Sequence, residues 1–250
     1  MWESFITLMI NILLYIYNLV GQNFGVAIIL FTILIRLLMY PLTARQVKSS
    51  KAMQDLQGSK KWQDIQEKFK DDKEKLAQKQ MELYQEMGIS PFGSCLPLLI
   101  QFPIIIGLYQ AIIRALAVTP VQLVNLSNHI SNGAELIPIN NQFLWMDLSQ
   151  PERLPILGIG VPILAILVVI TSYVQTKMVS TPTTGGDDGG QGAQMTRAMS
   201  LYMPFFMGYL ALTFASGLAL YFIATNLTTI AQYMILGQAD FKNLLPDQLR

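Results

Sequence analysis

The chain has 250 residues, of which 52% are hydrophobic and only 13% charged, with a mean hydropathy of +0.40. That balance disfavours a soluble domain with one core and a charged surface and selects an integral membrane protein, whose helices need about 20 apolar residues each to cross roughly 30 Å of hydrocarbon. The net charge of +1 says little, because the placement of Lys and Arg outweighs their sum in a membrane.

Residues 1–23 are apolar, yet Glu3, Thr7, Asn11 and Asn18 share one helical stripe and Phe5, Met9, Ile12, Ile16 and Leu19 another. Such a pattern suits an amphipathic helix lying in the membrane interface. No Lys or Arg precedes the apolar part and no small-residue cleavage pattern follows it, which disfavours a cleaved signal peptide. The alternative is a further span, which inverts the topology.

Residues 24–42 form the first expected span, and Arg36 lies inside it. An ionisable group within a span costs about 2.5–3.5 kcal/mol on insertion scales, so it marks a functional site by default. The competing reading is a side chain that snorkels to the near interface. Residues 43–88 differ from everything around them: Trp62, Ile65, Phe69, Leu76 and Leu83 recur at helical spacing among dense charges, and Gly58 and Ser59 break the preceding arm. This predicts an antiparallel helical hairpin. Its acidic residues nearly cancel its basic ones, so no direct nucleic-acid readout is expected.

The second span lies within residues 89–117 and carries Gln101, Tyr109 and Gln110 as well as the single cysteine, Cys95, which reads as a packing residue because one thiol makes no internal disulfide or cysteine metal cage. Residues 118–154 form a loop region containing the one histidine, His129, with Glu135 and Asp147 at no recognisable ligand spacing. A third span follows at 155–178, then a flexible linker at 179–197 rich in Gly. Its Gly pairs lack the preceding strand and the Gly-Lys-Ser/Thr signature of a phosphate-binding loop. Residues 198–236 hold the fourth and fifth spans, read as a helical pair reversing at Ala215, Ser216 and Gly217, with one unbroken longer helix as the alternative. A tail, 237–250, ends the chain.

Ten basic residues between Arg45 and Lys79 stand against none in 118–150, a strong positive-inside bias. The expectation is an all-α integral membrane protein, a five-transmembrane-helix bundle with a cytoplasmic helical hairpin and an N-terminal interfacial helix. The N-terminus then lies outside and the C-terminus inside. Thr225, Asn226, Thr229 and Gln232 in the fifth span, with Gln101 in the second, add polar groups that together can line a hydrated recess around Arg36, or singly make interhelical hydrogen bonds. No nucleophile, triad, metal cluster or cofactor motif is present, so an enzyme is not expected.

The runs GVAIILFTILIRLLMYPLTARQVKSSKAMQ, MGISPFGSCLPLLIQFPIIIGLYQAI, FLWMDLSQ followed by LPILGIGVPIL, and MPFFMGYLALTFASGLALYFIATNLTTIAQ, in that order, resemble the YidC/Oxa/Alb membrane-protein insertases over nearly the whole chain. Ala215 stands where many relatives have proline, and Phe222 where Tyr or Trp is common. The resemblance implies a minimal insertase core without a large periplasmic domain, in the plasma (inner) membrane. It also implies a hydrophilic groove open to the cytoplasm and sideways to lipid, with Arg36 at its centre, Thr32 one turn earlier, and Tyr221 and Asn226 on the last span; Gln101 and Gln232 join these as candidate binding residues. Clients would be nascent membrane proteins with short translocated tails, released laterally into the bilayer, with the ribosome and the Sec translocon as further candidate partners. Apolar burial at about 25 cal/mol per Å² would drive release, without a nucleotide. The alternative reading is a small-anion transporter or channel built on Arg36; a scaffold that only chaperones folded subunits is a third.

The charge bias generates a topology test. A membrane-impermeant thiol reagent added from outside is expected to label Ser127→Cys and spare Ser59→Cys, both in a Cys95→Ser background; the reverse pattern refutes the orientation.

Overall fold

A computed structural model describes residues 2–69, 72–88, 96–116, 139–156, 159–179 and 191–237. Helix α1 spans Trp2–Leu19 and α2 Phe24–Leu38, the latter opened by Asn23, whose side-chain oxygen accepts from the Val26 N–H at 3.1 Å. α1 lays Ile6, Met9, Ile10, Leu13, Leu14 and Tyr17 against α2 and the later helix Leu96–Ala115. The buried face is therefore turned from the expected stripe: Met9 is shared, Phe5, Ile12 and Ile16 flank the core, and Leu19 is exposed. Packing against two helices widens the buried arc and recentres it.

The first apolar run is not one straight helix. α2 stops at Leu38 and α3, Tyr40–Gln57, leaves it at 63°. Pro41 causes the break, because it lacks an N–H and its ring clashes with the carbonyl four residues back, that of Leu37, whereas the first turn of a new helix tolerates it. α4, Lys60–Lys68, is capped by Ser59 on the Trp62 N–H at 3.3 Å, and α5, Lys73–Glu86, by Asp72 on the Lys75 N–H at 3.1 Å. Leu56, Trp62 and Leu83 bury against one another with Ile65 and Tyr84 around them, so the apolar stripe of this segment closes on itself. Leu76 is also buried and Phe69 half-buried.

α6, Leu96–Ala115, carries Pro103 inside it. Residues 89–95 and the loop around His129 and Glu135 lie outside the described residues. Two antiparallel hairpins follow: β1, Gln142–Phe143, with β2, Met146–Asp147, and β3, Leu154–Ile156, with β4, Ile159–Val161. The second replaces the start of the expected third span, for α7 runs only Ile163–Val179. Pro155, Gly158, Gly160 and Pro162 are poor helix formers, and the apolar residues between them suit a short ribbon instead. α8, Gln191–Thr213, begins inside the expected linker, of which 180–190 lie outside the described residues. α9, Ser216–Ile235, is separated from α8 by Phe214 and Ala215, so the pair is broken and not one long helix.

Among the described residues two single helices, α1 and α9, are long and apolar enough to cross a bilayer, and α2 with α3 makes a third if the bent pair counts as one; α7 and the Leu201–Thr213 part of α8 are shorter apolar helices. The interior helix is α9, packed against α2 and α7, with its face from Ser216 to Leu220 wholly buried.

The segment 139–152 packs over the starts of α2, α7 and α9. α9 has no side-chain N-cap; loop carbonyls take the role, Gln150 O accepting from the Ser216 N–H at 2.8 Å and Leu148 O from the Gly217 N–H at 3.1 Å. A side chain at Gly217 would meet Ile112, Leu148 and Ile28 at 3.1–3.3 Å, so glycine is what lets the loop approach. Asp147 is a hub: its Oδ1 accepts from Asn141, from the Ser149 N–H and from the Ser149 hydroxyl. Glu152, 9% exposed, accepts from the Leu164 N–H at 3.0 Å, capping α7, and from the Trp145 indole at 3.2 Å. Tyr17 accepts from the Asn140 N–H at 3.1 Å.

Phe143 presses on α2 so closely that a Cβ at Gly25 would lie 2.2 Å from its ring. Gly25→Val is expected to lower stability by about 1–3 kcal/mol, read as a lower melting temperature in detergent. Adding Phe143→Ala should recover part of the loss; no recovery would mean that the two residues do not share the contact.

Candidate functional site

α2 presents Thr32 and Arg36 one turn apart, near its C-terminal end. Thr32 is 1% exposed and its hydroxyl donates to the Ile28 carbonyl of its own helix at 2.7 Å, so among the described residues it serves α2 alone. Arg36, half-buried, donates from Nη2 to Gln101 Oε1 on α6 at 3.4 Å. Gln101 in turn donates from Nε2 to the Tyr221 hydroxyl on α9. Three helices are thereby joined by one polar chain of guanidinium, amide and phenol.

Tyr221 and Gln232 stand eleven residues apart on α9, close to three full turns at 3.6 residues per turn, and so share a face with Thr225 between them. Gln232, 4% exposed, donates from Nε2 to the backbone carbonyl of Arg36 at 2.9 Å. That carbonyl is one of the last four of α2, which the helix itself leaves without partners where Pro41 interrupts it. Gln232 therefore caps the helix that carries the arginine, and its Oε1 is buried with no hydrogen-bond partner among the described residues.

Asn226 belongs elsewhere. Five residues on from Tyr221 it is turned by about 140° at 100° per residue, and its Nδ2 donates to the hydroxyls of Thr171 at 3.1 Å and Ser172 at 2.8 Å on α7. Of the six residues expected to form a site, Arg36, Gln101, Tyr221 and Gln232 thus meet, Thr32 sits beside them on α2, and Asn226 ties α9 to α7. Thr171 and Ser172 escaped the sequence reading, although two adjacent hydroxyls in an otherwise apolar run were a usable signal. Tyr109, also weighed, packs edge-on against Phe214 with ring centroids 4.7 Å apart.

No carboxylate pairs with Arg36 among the described residues; the ion pairs there join Lys75 to Asp72, Lys79 to Glu82 and Arg114 to Glu3. No group of His, Cys, Asp or Glu among the described residues is arranged to hold a metal. A guanidinium has five N–H donors, and among the described residues a single long contact to a neutral amide is its side-chain tie. The arrangement can offer hydrogen bonds and positive charge to a carboxylate or carbonyl, and contains no base beside a nucleophile.

An apolar helical bundle that holds such a group between its helices is a membrane protein with an internal polar site. The model of the family described as 60Kd inner membrane protein matches residues 15–243. The chain is 36% identical over 247 residues to the membrane protein insertase MisCA of Bacillus subtilis (strain 168), covering 96% of this chain and 81% of that one. To the membrane protein insertase YidC of Oceanobacillus iheyensis it is 34% identical over 222 residues, 87% of this chain and 76% of the relative. A solved structure, an active YidC insertase with its first transmembrane domain resolved, superposes with a TM-score of 0.59 at 26% identity over 94% of this chain, which spans 46% of that one. The chain belongs to the 60Kd inner membrane protein family, the family of the YidC insertases.

The two kinds of hydrogen bond at the site predict different costs. Gln232→Leu leaves a buried carbonyl unpaired and is expected to destabilise the protein by about 1–3 kcal/mol in detergent unfolding. Thr32→Val, which removes only a bond within one helix, should cost much less; equal losses would refute the capping role.

Proposed function

We propose that this chain, a membrane protein insertase by its family, receives the short polar tail of a nascent membrane protein at Arg36 and releases the apolar helix sideways into lipid. The observation that carries the reading is the arginine itself: a cation kept among apolar helices, tied by a neutral amide and by no carboxylate among the described residues. An ion pair inside the protein would have neutralised it. Left as it is, it offers charge and donors to a polar tail that cannot enter hydrocarbon alone.

In this reading five spans, the first bent at Met39, enclose a groove open toward the cytoplasm. The N-terminus is outside, α1 lies in or near the outer interface, and α3 to α5 form a cytoplasmic hairpin where clients arrive. The packing of segment 139–152 over the helix starts at the opposite end supports a half-channel and not a conduit for small anions, which would need both ends open. Ribosome and Sec translocon are candidate partners on the cytoplasmic and lateral sides. Insertion draws on apolar burial in the bilayer, about 25 cal/mol per Å².

Substitutions at Arg36 separate charge from shape. Arg36→Lys keeps the cation and loses the planar fork, Arg36→Ala removes the charge, and Arg36→Glu reverses it. Insertion read by protease protection is expected to rank Arg, Lys, Ala, Glu, with acidic-tailed clients hit hardest and a neutralised tail partly rescuing Arg36→Ala. Equal insertion of acidic-tailed and neutral-tailed clients by Arg36→Glu and the unaltered protein would sink the charged groove.

A further inference from the structure

The β1–β2 hairpin turns in two residues, Leu144 and Trp145, because Phe143 pairs with Met146. Such a turn asks for a positive φ at its first position, a place that glycine, asparagine or aspartate fills in most hairpins. Leucine stands there at φ +55° and leaves its side chain 73% exposed, with Trp145 beside it 52% exposed. Two preferences are broken at once, those of the backbone and of water. A turn under neither pressure would carry glycine or asparagine at the first place and a polar residue at the second.

Its position is fixed by the elements under it. Phe143 is seated on Gly25 at the start of α2, Glu152 joins the Trp145 indole N–H to the start of α7, and Ser216 at the start of α9 donates from its hydroxyl to the Asp147 carbonyl at 2.5 Å. Three helix starts hold the hairpin at the rim of the bundle. The indole N–H is already satisfied within the protein, so the exposed remainder of the ring is apolar.

We propose that Leu144 and Trp145 insert into the headgroup–acyl boundary of the bilayer and fix the depth of this end of the bundle. Aromatic side chains are enriched at that level, where an apolar ring and a polar edge are both accommodated. The occupant is lipid because the turn lies at the rim of a membrane bundle and carries no charge with which to choose a protein partner. This assignment is independent of what binds at Arg36.

The protein has three tryptophans, so Trp2→Phe with Trp62→Phe leaves Trp145 as the sole indole in the full chain. In phosphatidylcholine–phosphatidylglycerol vesicles its emission is expected to shift to the blue relative to the urea-unfolded chain. It should be quenched more by lipid with a nitroxide high on the acyl chain than by lipid with one near the chain end, and scarcely by iodide. Leu144→Asn, which suits a positive φ, should keep or raise the melting temperature in detergent while weakening the lipid quenching. If Trp145 is reached by iodide and not by lipid nitroxide, the turn faces water or another protein and the proposal fails; unchanged lipid quenching in Leu144→Asn removes the role given to Leu144. Should the double tryptophan variant not fold, a spin label on Leu144→Cys in a Cys95→Ser background reads the same depth, oxygen access exceeding nickel-chelate access if the turn is in lipid and the converse if it is not.

Discussion

A guanidinium inside an apolar bundle must find its solvent in the protein, and most of the architecture around Arg36 answers that need. The cost of leaving such a group in hydrocarbon, about 2.5–3.5 kcal/mol even on insertion scales, is comparable to a large share of a protein's net stability. Gln101 and Tyr221 supply dipoles from two other helices, and Gln232 secures the backbone from which the arginine projects. The ties to Tyr221 and Gln232 require α9 to be the interior helix. α9 is interior in turn because loop carbonyls satisfy its first N–H groups and allow its start to be buried without a side-chain cap.

The legible part of the site was the part set by composition. An arginine in an apolar run and glutamines in the second and fifth spans violate the expectation for lipid-facing residues, so each was visible from the residues themselves, whereas Tyr221 was visible only through the family resemblance. Which of them touch was not, because contact depends on helix rotation: Asn226 looked equivalent to Tyr221 and turned out to face α7. The fold was legible wherever a long period repeated. It failed at 155–161, where alternating apolar and helix-breaking residues within an apolar stretch look like the start of a span in a hydropathy window. Asp147 and Glu152 were also illegible as structural residues, since their partners are backbone N–H groups and side chains fixed only by the tertiary fold.

Two departures from the family pattern are resolved by local geometry. Ala215 holds φ −55° and ψ 140°, within the range that proline's ring would impose, so the turn between α8 and α9 keeps proline's shape without proline. Phe222 is 5% exposed, its ring tilted against that of Tyr221 at 5.8 Å, and it serves the core. A larger polar aromatic is therefore not needed at that position to hold the Tyr221 ring next to it.

The bend at Met39 has a mechanical side. α3 is 18 residues long, about 27 Å at 1.5 Å per residue, and it leaves the bundle next to the α2 terminus that Gln232 pins to α9. With the fulcrum held so firmly, a swing of about 10° at Met39 carries the far end of α3, and the charged helices beyond it, through about 5 Å. Arg36 lies three residues before that fulcrum and barely moves. The same proline break thus sets the pivot beyond the cation, so a swing of the long arm leaves Arg36 at its address.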